Sequence, residues 1–254
     1  MDLMRIQNEL NSAYQAFKDR ADLPTNLAIR LSAPLLLLVS DRWTEARQRI
    51  LIVGQETLGW AFDSASPYPW PYPPIRNFAD FLACGESIEA LTGAYRAFEF
   101  SRHQPKNHRS PFWSAYRKIR AAVNEPENGF ETSVLWTNLF RMSLDSGSVI
   151  KNGNAEEIKL IRDSAIDLLR NEISILQPTE IIFFTGPSYD EHLKAQFPGI
   201  QFLDFCQHPA RKASVVVHPF LPHAWRTYHP AYLSRSRDLH LVDEVIVAMN
   251  QIVS

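Results

Sequence analysis

The sequence predicts an α/β protein: a single domain with a central, mostly parallel four-stranded sheet and helices on both faces. Short apolar runs bounded by turn residues, Ile50–Val53 (ILIV), Ser133–Trp136 (SVLW) and Glu180–Thr185 (EIIFFT), read as buried strands, with a shorter one at Trp225–Tyr228. Amphipathic helical patterns separate them at crossover length, which is the signature of parallel pairing. The 254 residues, 45% hydrophobic and 21% charged, suit one domain with a full core. Residues 1–48 read as an N-terminal helical extension packed on that domain.

In chain order, Leu3, Ile6, Leu10, Tyr14 and Phe17 recur at helical spacing, and a turn around Pro24 ends that helix. Pro34–Val39 (PLLLLV) is a short buried segment. The strand at Ile50 then runs into a tight turn at Gly54 that carries Gln55 and Glu56. Pro67, Pro69, Pro71, Pro73 and Pro74 alternate with Tyr68, Trp70 and Tyr72, so this stretch is a rigid loop presenting aromatic faces and not a central strand. Helical pattern resumes from Asn77 to about Phe98.

Arg102, His103, Lys106, His108 and Arg109 form an acid-free loop that feeds an N-cap pair, Ser110 and Pro111, where a helix starts. Such a start suits a phosphate. After SVLW, which ends in Thr137 and Asn138, one long helix is expected from Ala155 to about Leu176. GIQFLDF reads as a fourth strand or an edge, and SVVVHPF is the next candidate. Trp225–Tyr228 delivers His229 and Pro230 to a loop before the terminal helix. From Phe205 through Arg237 there is no Asp or Glu, whereas Arg211, Lys212, Arg226, Arg235 and Arg237 are cationic.

The formal net charge of -2 excludes a globally basic nucleic-acid binder but not a local basic patch. Cys84 and Cys206 are far apart and form no CxxC pair, so no cysteine-built zinc or iron–sulfur site, and no cofactor, is expected. The N-terminal stretch lacks the apolar core of a signal peptide, and the longest apolar run is too short to span a bilayer. A cytoplasmic monomer with no membrane partner is the expectation.

Three polar residues follow apolar strands: Glu56 after ILIV, Asn138 after SVLW and His229 after WRTY. In a parallel sheet those ends share one edge and face a common pocket. Their motifs, IVGQETLGW, VLWTNLF and HPAYLSR, resemble in order and spacing those of the uracil-DNA glycosylase superfamily. The likeness runs from about Arg49 to the C-terminus and implies that family's three-layer α/β/α fold and DNA as partner.

The resemblance makes Glu56 the water-activating or cation-stabilising carboxylate and His229 the donor to the departing base. Asn138 becomes the amide that reads the base edge, with Gln55 and Leu58 beside it and Phe62, Tyr68 or Trp70 as the stacking ring. Leu233 is the wedge filling the gap left by a flipped nucleotide. Ser234, Arg235, Arg237, Arg211, Lys212, Arg102, Lys106 and Arg109 are the DNA-contacting set.

The implied reaction is hydrolysis of the N-glycosidic bond of a flipped-out uracil or modified pyrimidine, leaving an abasic site. Thr57 and Leu58 replace the family's Pro-Tyr, whose tyrosine blocks 5-substituted bases, so a bulky modified cytosine in viral DNA, and hence anti-phage defence, is an alternative. Two others are a non-catalytic binder of modified or mismatched DNA on the same fold and an α/β hydrolase of a small nucleotide-like molecule.

Overall fold

The computed structural model describes residues 2–66, 69–100, 109–124 and 131–253. Its centre is a six-stranded mixed sheet made of β1 (Ile50–Glu56), β2 (Val134–Phe140), β3 (Glu180–Phe183), β4 (Gln201–Asp204), β5 (Ala213–Val217) and β6 (His223–Thr227), in the order β2-β1-β3-β6-β5-β4. β2, β1, β3 and β6 are parallel; β5 pairs antiparallel with β6 and β4 antiparallel with β5, so β5 alone runs against the other five strands. The sheet is therefore larger than the four strands expected, and mixed rather than mostly parallel throughout. GIQFLDF and SVVVHPF supply the two additional strands, joined by a turn too short for a parallel crossover.

Eleven helices surround the sheet among the described residues: α1 (Leu3–Arg20), α2 (Thr25–Ala28), α3 (Phe78–Ala83), α4 (Ser87–Phe100), α5 (Pro111–Val123), α6 (Val149–Asn152), α7 (Ala155–Ser164), α8 (Leu168–Leu176), α9 (Asp190–Gln196), α10 (Pro230–Ser236) and α11 (His240–Val253). The helix expected from Ala155 to Leu176 is broken at Ala165 into α7 and α8. The pattern from Asn77 to Phe98 is likewise broken between α3 and α4, each with its own terminus. None of these helices is long and apolar enough to cross a membrane.

Ile50, Leu51, Ile52 and Val53 are fully buried although alternate residues of a strand point to opposite faces, so both faces of β1 are covered. On one face Arg141, just after β2, pairs with Glu172 of α8 through Nη1–Oε1 at 2.9 Å and Nη2–Oε2 at 2.5 Å. Tyr14 of α1 donates to Glu172 at 3.0 Å, and Arg141 also donates to Thr137 of β2. Ile6, Leu10, Tyr14 and Phe17 belong to the same continuous core as the strands, so the N-terminal helix is part of the packing unit.

The outer edge of β2 is closed by side chains. Tyr95 of α4 accepts from the Trp136 N–H and donates to its carbonyl, both at 3.0 Å, and Tyr116 of α5 donates to the Val134 carbonyl at 2.7 Å. Two phenols thus satisfy backbone groups that an open edge would offer to another chain.

Candidate active site

The carboxyl ends of β1 and β2, the start of α5 and the N-cap of α10 enclose a cavity of about 410 Å³, within the range of small-molecule sites. Glu56, Asn138 and His229 all line it, together with Trp60, Phe62, Phe98, Phe112, Trp113 and Trp136.

Asn138 is in register with Gly54, so both lie on the cavity face of the sheet. Gly54 is not a turn residue: it lies within β1, and the chain turns later, where Gly59 has φ +66°. Glycine is needed at 54 because a Cβ there would stand 2.2 Å from Asn138 Oδ1. The Asn138 amide lies over this bare backbone, 5% exposed, and makes no hydrogen bond to any described residue. A buried amide left open at a cavity wall keeps its donor and acceptor available to whatever enters the cavity.

Glu56, the last residue of β1, is held by three donors. Ser148 Oγ donates to Oε1 at 3.0 Å, Tyr189 Oη donates to the same oxygen at 2.5 Å, and the Val149 N–H donates to Oε2 at 2.5 Å. Oε1 is thereby saturated and Oε2 keeps one acceptor site. This carboxylate is a fixed negative charge more than a mobile base. Burial and the Glu56 charge together raise the Tyr189 phenol, which keeps it a donor.

His229 caps α10, with Nδ1 accepting the Ala231 N–H at 3.2 Å. An imidazole that accepts at Nδ1 carries its proton on Nε2. Burial, helped by the Arg235 charge, lowers its pKa to about 4, so the ring is neutral near pH 7. It stacks on Phe112 at 5.6 Å between centroids with planes 15° apart, which fixes its tilt. The resulting site has a neutral N–H donor, an open amide and a fixed carboxylate within an aromatic enclosure.

No model of a known protein family and no curated protein sequence matches the chain.

The other expected residues divide into those at the cavity and those elsewhere. Phe62 and Leu58 line it, Phe62 in the wall and Leu58 at the mouth with 78% exposure. Trp70 does not reach the cavity but stacks behind Phe62 at 4.9 Å. Gln55 is turned away and donates to the Thr185 carbonyl at 2.7 Å, tying β1 to the end of β3.

Leu233 is fully buried, so it is no wedge for a duplex. Pro230 opens a helix, and both Pro230 and Leu233, one turn apart, face the core. Ser234, Arg235 and Arg237 are exposed, as are Arg109 and Arg211. Lys212 is paired with Asp238 at 2.8 Å, and Arg226 is buried against Asp190 at 3.1 Å, so neither is a free surface cation. Tyr68, Arg102 and Lys106 lie outside the described residues.

Sequence reasoning missed most of the aromatic enclosure and both side chains that hold Glu56. Trp136 is two residues before Asn138 and must share its face, a signal that the period of a strand carries. Phe112 and Trp113 directly follow the N-cap pair, Ser110 and Pro111. Ser148 and Tyr189 are 92 and 133 residues from Glu56, and only tertiary packing brings them there.

Proposed function

We propose that the protein is a DNA glycosylase that hydrolyses the N-glycosidic bond of a flipped-out pyrimidine base. The observation that carries the reading is His229 held neutral with its Nε2 proton free, in the same cavity as the open Asn138 amide and the Glu56 carboxylate.

Cleavage of an N-glycosidic bond develops positive charge on the sugar and negative charge on the departing base. Glu56, already oriented by its three donors, stabilises the cation, and its remaining Oε2 acceptor site orients the attacking water. The neutral His229 donates a hydrogen bond to the base as it becomes anionic. Asn138 presents an acceptor and a donor to its edge, and the aromatic walls offer faces on which a base can stack. Arg109 directly precedes the cavity residue Ser110, and Arg235 lies close enough to shift His229, so exposed cations flank the opening for phosphate contacts.

A second reading concerns the size of the base. Leu58 stands where the resembled motif has a tyrosine that blocks 5-substituted pyrimidines. Its side chain is 78% exposed, and no atom lies within 4 Å of a Cβ built at Gly59. This favours a bulky modified pyrimidine, such as viral DNA carries, over uracil.

The test is mass spectrometry of bases released by the full chain from uracil-containing, deaminated-purine and hypermodified phage DNA, with abasic sites counted in parallel. Base release should fall by roughly 10²–10³-fold in His229→Ala and in Glu56→Gln, with melting retained. Salt-dependent DNA binding with no base released from any substrate would replace the enzyme reading with that of a non-catalytic binder.

A further inference from the structure

Outside the cavity, one cluster of side chains has the composition of a metal site. Glu244 and His240 lie one helical turn apart on α11, so both project from the same side of that helix. His208 reaches them from the turn between β4 and β5. Its Nε2 is 2.9 Å from Glu244 Oε2, and His240 Nε2 is 3.9 Å from Glu244 Oε1. One donor atom from each residue fits within a sphere of contacts no wider than 4.8 Å. Around a tetrahedral zinc ion, bonds of about 2.1 Å place neighbouring ligand atoms about 3.4 Å apart. The His208 contact is shorter than that value and the His240 contact, to the other carboxylate oxygen, is longer, so rotation of the half-exposed His240 and of the Glu244 carboxylate is what completes the geometry.

The backbone that carries His208 is rigid. Phe205 and His208 exchange backbone hydrogen bonds at 3.1 and 2.9 Å across a two-residue turn, and Phe205 is buried. The His208 side chain is 18% exposed, Glu244 33% and His240 51%, so two ligands are anchored and the third closes from the solvent side. Cys206 lies beside the same hollow but does not join the three.

We propose that His208, His240 and Glu244 form a three-ligand site for a divalent transition metal, zinc being the best fit. Two imidazoles and one carboxylate are a borderline donor set, which suits zinc and its neighbours, whereas magnesium and calcium require oxygen ligands throughout. Three protein ligands leave the fourth tetrahedral position to water. The bond network clips the C-terminal helix to the antiparallel extension of the sheet. Because α11 packs on α5, whose first turn lines the cavity, the clip stabilises the frame of the site without entering it. The inference is independent of the reaction proposed above.

The experiment uses the full chain without an affinity tag, stripped with a chelator and titrated with zinc. Stoichiometry is read by calorimetry, ligand field by cobalt(II) absorption and stability by thermal melting. One metal per chain is expected, with visible bands of a tetrahedral nitrogen–oxygen site, and the melting temperature should rise by about 5–10 °C at a hundredfold excess over Kd. His240→Ala, a change at a half-exposed position, should abolish both effects, and Glu244→Gln should weaken binding at least about tenfold. His223→Ala, an exposed histidine at the start of β6, should change neither. Absence of stoichiometric binding, equal binding by His240→Ala, or an equal melting shift with magnesium would each overturn the proposal.

Discussion

Replacing Gly54 with alanine should separate folding from function. The backbone of Gly54 does not occupy the positive-φ region, so alanine fits the strand, and relieving glycine's entropy cost contributes roughly 0.5–1 kcal/mol of stability. The new methyl would stand 2.2 Å from Asn138 Oδ1 and 3.3 Å from Phe112 Cε2. Carbon and oxygen settle near about 3.5 Å, so the amide must retreat by about 1 Å, and it can, because it is the end of a side chain with no hydrogen bond to hold it. Overpacking against Phe112 costs about 1 kcal/mol, which roughly offsets the strand gain. The melting temperature should therefore stay within about 4 °C of wild type. A displacement of about 1 Å in a positioning group costs on the order of 10²-fold in rate, so base release should collapse. Thermal melting and quantified abasic-site formation on one preparation make the comparison. Wild-type turnover in Gly54→Ala would refute the placement of Asn138, and a loss of stability above about 3 kcal/mol would show that the amide cannot move.

Two further outcomes follow from buried charge. His229 has its pKa lowered to about 4 in the folded chain against an ordinary value near 6.5, so the unfolded chain binds its proton first as pH falls. Its contribution is complete above about pH 6.5 and is lost progressively toward pH 4, amounting to at most about 2 kcal/mol between pH 7 and pH 5. Urea midpoints of wild type and His229→Phe should converge in that window, and parallel pH profiles would contradict the assignment. Arg141→Met leaves Glu172 buried and unpaired and should cost about 3–5 kcal/mol, read by denaturant unfolding, with much of it recovered in Arg141→Met/Glu172→Leu. A double variant no more stable than the single one would show that the pair is not the source of the loss.

Three of the parallel strands were legible because buried parallel strands are written as short, unbroken apolar runs, and ILIV, SVLW and EIIFFT have no competing reading at their length. Their convergence on Glu56, Asn138 and His229 followed from the general placement of ligands at the carboxyl ends of such strands. The direction of β4 and β5 was not legible, since pairing is decided by partners far along the chain. The helix breaks at Cys84 and Ala165 escaped notice for a related reason: apolar periodicity continues across them, and only packing shows where the axis turns. Leu233 illustrates a signal present but outweighed. Proline at a first helical position placed Leu233 on the turn facing the core, yet the motif likeness suggested an exposed loop. Lys212 and Arg226 looked free because their partners, Asp238 and Asp190, lie just beyond or well before the acid-free stretch.

Of the six tryptophans in the chain, Trp60, Trp113 and Trp136 stand in the cavity wall. Trp136 lies within 6.0 Å of Trp60 and 4.8 Å of Trp113, ring centre to ring centre, so the three are coupled neighbours. The protein thus carries its own optical reporter. On the proposed reading, a base entering the enclosure would meet a cluster that supplies half of the chain's indoles, and its arrival and departure would be followed as intrinsic fluorescence in unlabelled protein on unlabelled DNA. Stopped-flow records of that emission would separate entry of the base from breakage of its bond.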